Sequence, residues 1–507
     1  MNDFFQQGQN ALKAKNLNSA IELFRKALQQ SPKNPNVLAS LGQALCWNDH
    51  YLEGIKYLHA AGRQLSKKAR KSGDISQLLL LVEQLQFWND YPGSLLFIKQ
   101  AVKIDKHNLR GYQILAHTLS RLNEHQSAYL AGKQALSKAS ESPVLNLLMA
   151  SLEIKTGRTD TAYKRLTNLL NNSNNPEEQF RAHKEIANLL DKQGNYTKAF
   201  EHLQSAGTLS SELPAIKKLD KSFIGNMLMQ NCHVYCESLL DKYSAISFDT
   251  DKSPVFLVGF YRSGSTLTQE VLNSHPDIFV SDEVDFIFPL RQALQNLYPG
   301  KNIYEQLQHL TVSDIKNLRA LYWDKVLLRY GNDIKNNIFI DKTTMNTFEL
   351  GFIHIIFPDA RIIFAKRDPR DVCISCFMQI MQPNLATIHL NKWTDIATLY
   401  QQTIAWWSHF KQICKVPYHE IRYEDAVTHF EASYRELFDF LNLSWTDKAF
   451  DFYKNNHNKF IVSPSYNQVS KPLYSSSKNR WLNYQEHFKT IKNEISPILK
   501  ALQYPLS

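Results

Sequence analysis

A phosphate held without metal needs backbone N–H groups and a cation close by, and one stretch of this 507-residue chain offers both. It runs Pro254-Val-Phe-Leu-Val-Gly-Phe-Tyr-Arg262-Ser-Gly-Ser-Thr-Leu267. Val255 to Val258 read as a buried parallel strand, and Thr266 to Leu272 carry the apolar spacing of a helix. The polar turn between them therefore sits at a helix N-terminus, where unpaired N–H groups and the helix dipole favour an anion. Gly259-x4-Gly264-x-Thr266 has the spacing of a nucleotide phosphate loop, except that Ser265 stands where that motif carries lysine.

The missing lysine decides between chemistries. Transfer of the γ-phosphoryl group of ATP uses that lysine together with a metal ion. A 5′-phosphosulfate can be gripped by amides, hydroxyls and Arg262 instead, so the loop favours sulfuryl transfer over nucleotide hydrolysis. On these residues the chain resembles the P-loop sulfotransferases that use 3′-phosphoadenosine-5′-phosphosulfate (PAPS), most closely the tyrosylprotein sulfotransferases, over about Pro254 to Trp481. The resemblance implies that Arg262, Ser263, Gly264, Ser265 and Thr266 hold the 5′-phosphosulfate and that no metal is required.

A second strand-to-helix passage, Ala360-Arg-Ile-Ile-Phe-Ala-Lys-Arg367-Asp-Pro-Arg370-Asp-Val-Cys-Ile-Ser375, begins its polar part 105 positions after Arg262. By itself it reads as a capped, charged helix opening, with Asp368 as cap and Pro369 in the first turn. The resemblance makes Arg367 and Ser375 the ligands of the donor's 3′-phosphate, a role that suits a guanidinium just past a strand. Asp282 and Glu283 read by themselves as exposed loop acids, and Lys342 as a solvated strand end. The resemblance makes Glu283 the catalytic base and Lys342 the cation on the transferring group. It gives Ser465 a similar stabilising role and makes Tyr423 a donor contact, although the bare sequence suggests a half-buried strand aromatic there. Arg480 stands where close relatives have a lysine near the donor. His275 ends a helix and reads as structural.

Three positions depart from the tyrosylprotein pattern. Asp285 and Gln379 each replace an arginine, and Tyr474 replaces an asparagine. The Asp285 change removes a group expected to hold acidic residues around a target tyrosine. The acceptor stays open among protein tyrosine, peptide, saccharide and small hydroxylated metabolite.

Ahead of this half, small and apolar residues recur at the offsets of a repeat of about 34 residues. Gly8, Ala20, Phe24 and Ala27 open the series, Gly42, Leu58 and Ala61 continue it, and Ala187, Ala199, Leu203 and Ala206 close it. The pattern resembles tetratricopeptide repeats (TPR), in about six copies with the third stretched near Arg70 to Asp74. The expected fold is an α-helical TPR solenoid at 1–207, a helical connector at 208–252 and an α/β P-loop domain with a parallel sheet at 253–507. Such solenoids bind protein or peptide, so the repeats imply a polypeptide partner.

The net charge of +10 suits an anionic donor, while no basic run suggests nucleic acid. Neither the N-terminal residues nor any later stretch reads as a signal peptide or membrane span. Six cysteines fit a reducing compartment, and cytoplasm is the expected location. Cys373 and Cys376 read as small buried residues, and Trp406 and Trp407 as core packing. The competing readings are a P-loop kinase or NTPase, and a repeat scaffold whose α/β half binds nucleotide without catalysis.

Overall fold

The computed structural model describes residues 3–244, 246, 252–456 and 477–506. They form two compact units, one built on residues up to Asn171 with Asp324–Asp333, the other on Asn172–Trp323 and the chain after Ile334.

In the first unit ten helices follow one another from Asp3–Lys13 to Thr159–Asn172. Polar caps punctuate them at regular intervals. The side chains of Asn16, Asn34, Asp90, Asn108 and Ser142 each accept from a backbone N–H of the helix they open. Small residues set the helix spacing: a Cβ on Gly8 would lie 2.7 Å from the Phe24 ring. Ala20, Phe24 and Ala27 are fully buried beside it. The stretch expected near Arg70 to Asp74 falls at the end of a long helix, Tyr51–Ser72, 22 residues against 13 in Pro35–Trp47 and stopped by Gly73 at φ 78°.

The second unit opens with two further helices, Pro176–Lys192 and Tyr196–Ser210, which carry the last small-residue positions of the repeat pattern. They pack within this unit. A Cβ on Gly207 would lie 2.6 Å from the Asn391 carbonyl oxygen, and the Phe200 ring stacks on His487 at 3.6 Å. Helices Phe223–Val234 and Glu237–Ser244 follow, burying Leu228, Leu239, Leu240 and Tyr243.

Next come five strands: β1 (Val255–Gly259), β2 (Ile278–Val280), β3 (Ile338–Asp341), β4 (Arg361–Lys366) and β5 (Tyr418–Arg422). Their order is β2-β3-β1-β4-β5, with every pair parallel. The register Val255↔Arg361 through Gly259↔Ala365 brings the ends of β1 and β4 level. The chain leaves β1 toward one edge and β4 toward the other, so a crevice opens between their carboxyl ends. β1 is buried along its whole length, as a central parallel strand must be. Trp406 and Trp407, on helix Trp393–Ile413, are core residues: Trp407 stacks on Phe364 of β4 at 4.3 Å.

Candidate functional site

The loop from Gly259 to Gly264 is fixed from three sides. Thr347 accepts the Gly259 N–H at 2.9 Å and donates to its carbonyl at 2.6 Å, and the Trp406 indole N–H in turn donates to the Thr347 carbonyl at 2.9 Å. Arg262 has φ 65°, a left-handed conformation uncommon outside glycine. Gly264 has φ 100°, and a Cβ there would meet the Tyr423 ring at 2.7 Å. Tyr423 opens helix Tyr423–Thr428 after β5, instead of lying in a strand, because the chain turns over the loop at that point. Helix Ser265–Leu272 then begins, and Ser265 Oγ faces Thr344 Oγ1 at 3.1 Å.

Arg367 follows β4 directly. Asp368 caps helix Pro369–Phe377, accepting from Arg370 N at 2.9 Å, with Pro369 in its first turn. Two distant pieces of sequence meet here: Arg262 Nε donates to Ser375 Oγ at 3.0 Å, and Arg367 Nη1 donates to the Arg262 carbonyl at 3.2 Å. The Arg367 guanidinium lies over Tyr423 at 4.7 Å, with Asp371 at 3.7 Å. Among the described residues, buried Ser263 Oγ and Arg367 Nε lack hydrogen-bond partners. Buried polar atoms are normally satisfied, so a cradle that leaves these two open fits an anionic group. Cys376 lies beneath, donating to the Tyr261 carbonyl at 3.6 Å, and burial pushes its thiol up to about 12. It and Cys373 are free and buried.

At the end of β3, Lys342 is fully buried and pairs with Glu283, whose side chain keeps 35% exposure. A backbone bond reinforces the pair, Glu283 N donating to the Lys342 carbonyl at 3.1 Å, and Lys342 N donates to Ser281 Oγ at 2.9 Å. Glu283 has φ 45° and so shares with Arg262 a backbone strain that concentrates at working sites. Asp282 faces the other way, accepting from Gln269 Nε2 at 2.8 Å. His275 Nδ1 accepts from Asp277 N at 3.1 Å, which fits its helix-ending role. Asp285 accepts from Ile287 N and Phe288 N at 3.0 and 2.9 Å, so it starts the next helix.

Asp341, which sequence reasoning missed, lies immediately before Lys342 and is fully buried. It accepts from Tyr322 OH at 2.9 Å, and burial pushes its carboxyl up to about 7. Its only sequence signal was a carboxylate at the end of an apolar run. Thr347 gave none, lying 88 positions from the glycine it pins. Arg480 is engaged by Asp191 at 2.5 Å. Ser465 and Tyr474 fall outside the described residues. Among those described, no cluster of three metal-ligating side chains forms, and no helix is long and apolar enough to cross a membrane.

Fold and site together define an α/β domain whose buried arginine, lysine and serine side chains gather at the switch point of its parallel sheet. Residues 254–447 match the model of the sulfotransferase family, and residues 11–70 match that of the tetratricopeptide repeat. The chain thus carries a sulfotransferase domain preceded by tetratricopeptide repeats. An uncharacterized protein of Aquifex aeolicus (strain VF5) is 25% identical over 462 residues, 88% of this chain and 57% of that protein. The protein-tyrosine sulfotransferase of Drosophila melanogaster is 22% identical over 292 residues, 52% of this chain and 54% of its own length. The chain therefore spans little more than half of either relative. Among solved structures, the sulfotransferase domain from the curacin biosynthetic pathway is similar at 19% identity, with 51% of this chain and 99% of that one covered and a TM-score of 0.34.

Proposed function

We propose that this chain moves the sulfuryl group of PAPS to an acceptor hydroxyl, with a protein tyrosine as the favoured acceptor. The observation that carries the reading is the meeting of Arg262 and Ser375 beside Arg367, at the mouth of the crevice between β1 and β4. An adenosine bearing phosphates at both 3′ and 5′ positions matches two anion sites built on two neighbouring strands. The family match over residues 254–447 supports the same reading.

PAPS supplies the sulfuryl group when bound. In this reading Arg262 and the N–H groups opening helix Ser265–Leu272 hold its 5′ end, with Ser263, Ser265 and Thr266 lending hydroxyls. Arg367 and Ser375 hold its 3′-phosphate, Tyr423 shapes the floor, and Arg480 and Ser465 complete the donor and transfer sites from the late loop. Glu283 accepts the acceptor proton as the new S–O bond forms. Lys342 offsets the charge that develops as the bridging S–O bond breaks and its electron pair leaves with the phosphate. The repeat region, proposed at 1–207, would recruit a polypeptide and raise its local concentration. Six free thiols favour a reducing, cytoplasmic setting.

The test is transfer of label from radiolabelled PAPS to a tyrosine peptide, a saccharide and a small phenol. Label on a hydroxyl of any of them supports sulfotransfer, and preference for the peptide supports the tyrosine assignment. Failure with all three, alongside phosphoryl transfer from ATP, contradicts the reading.

A further inference from the structure

Helix Pro176–Lys192 looks by sequence like one more repeat, yet one stripe of it holds the back of the candidate donor site. Lys184 is fully buried, donates to the Phe377 carbonyl and lies over the Phe377 and Phe180 rings at 5.1 and 5.6 Å. One turn later Asn188 Nδ2 donates to the Met378 carbonyl at 3.2 Å. These carbonyls close helix Pro369–Phe377, the helix that carries Ser375. The last carbonyls of a helix have no partner within it, and a cation there complements its negative end.

Asp191, one more turn along, accepts from Arg480 at 2.5 Å and from Tyr484 OH at 2.6 Å. The residues flanking Arg480 reach the same donor-site helix from outside: Asn479 N and Trp481 N each donate to Asp371 at 2.9 Å. The Arg370 guanidinium lies 3.7 Å from the Trp481 ring centre, and Arg367 Nη2 donates to the Ser477 carbonyl at 2.6 Å. Lys184, Asn188 and Asp191 fall at i, i+4 and i+7 and share one helix face. That face fixes both the C-terminal end of the Ser375 helix and the segment Ser477–Trp481 that clasps its start. A purely structural contact could be made by leucines. A buried amine aimed at a helix end also sets the axial position of that helix, and with it Ser375 and its bond to Arg262.

We infer that Lys184 and Asp191 are positioning residues for binding of the donor's 3′-phosphate, acting through helix Pro369–Phe377 and the segment Ser477–Trp481. The inference rests on the reading that Arg367 and Ser375 hold that phosphate. It makes the final repeat-like hairpin part of the transferase site.

The experiment uses the full chain and two probes, 3′-phosphoadenosine 5′-phosphate and adenosine 5′-phosphosulfate, which lacks the 3′ group. Calorimetric affinities are compared for wild type, Lys184→Met, Lys184→Arg and Asp191→Asn, with melting temperatures alongside. Lys184→Met and Asp191→Asn should each weaken the 3′-phosphorylated probe about tenfold or more and change the other by less than about threefold, whereas Lys184→Arg should bind both within about threefold of the wild type. Equal losses on both probes, or none, overturn the inference. Should Lys184→Met fail to fold, Asp191→Asn carries the same comparison. If the wild type binds neither probe, the donor reading itself fails and this inference falls with it. If the wild type binds both but does not favour the 3′-phosphorylated one, the assignment of Arg367 and Ser375 is the part that fails.

Discussion

The two compact units differ most in what they bury. In the repeat unit the fully enclosed polar side chains are Ser66, Ser94, Thr118 and Glu153, and Glu153 is met by Arg165 through two bonds of 2.8 and 3.0 Å. In the second unit Lys342, Arg367, Asp368, Arg370 and Asp371 are all buried. Taking a charge out of water costs several kcal/mol unless it is paired and hydrogen-bonded. Among its described residues the repeat unit buries no lysine or arginine, and its interior is mostly alanine and leucine with a few rings such as Phe24 and Phe97. The α/β unit accepts that cost at strand ends, where a charged ligand would be held. Buried charge thus separates the two units more sharply than conformation does.

The comparison breaks most visibly at Glu283. Glu283→Gln keeps the shape and much of the hydrogen bonding but removes the base, so kcat should fall by roughly 10²–10⁴ while donor affinity barely moves. Steady-state kinetics with a donor titration reads both, and near-normal turnover would remove Glu283 from the mechanism. The matching change in the scaffold is Phe24→Ala. Its ring is fully buried against Gly8, so stability of the repeats should drop by about 3–5 kcal/mol, with donor affinity unchanged. Denaturant melts and calorimetry check the two halves of that statement.

A smaller effect is expected from Asp341, through pH. Burial raises its carboxyl to about 7, so the folded state binds a proton that the unfolded chain releases near 3.9. The stability this proton contributes is complete below the unfolded value and is lost as pH rises toward 7. Between pH 5 and 7 the wild type should lose on the order of 2–3 kcal/mol that Asp341→Asn keeps. Parallel pH slopes for the two proteins would contradict a shifted Asp341.

Local signals in the sequence reached far in both units, for different reasons. Caps such as Asn34-Pro35 and small residues at a fixed period declare a repeat directly, because each copy solves the same packing problem. The strand-loop-helix at Val255 to Leu272 and the capped helix after Arg367 were equally visible, since both depend on neighbours in sequence. Three features were not legible. Thr347 and Trp406 pin Gly259 across long separations that no local pattern encodes. Asp341 carries no local mark beyond its place at the end of an apolar run, because its burial depends on distant residues such as Tyr322. The hairpin from Pro176 to Ser210 keeps the repeat's small residues because helix packing requires them, whereas its packing within the second unit rests on Lys184, Asp191, Phe200 and Gly207. Any truncation meant to separate recruitment from chemistry therefore belongs at Asn171, where the compact units divide, and not near Ser210.

The central claim is that the crevice between β1 and β4 is built for a donor carrying 5′-phosphosulfate, with Arg262 as its charged grip. Titration of the full chain with PAPS and, separately, with ATP and Mg²⁺ tests it directly, followed by the same titrations on Arg262→Ala. PAPS should bind far more tightly than ATP. Arg262→Ala should lose about 1.5–3 kcal/mol of that binding, the worth of a charge-assisted hydrogen bond to a buried anion. ATP binding equal to or stronger than PAPS binding, or an Arg262→Ala protein that still binds PAPS as the wild type does, would contradict it.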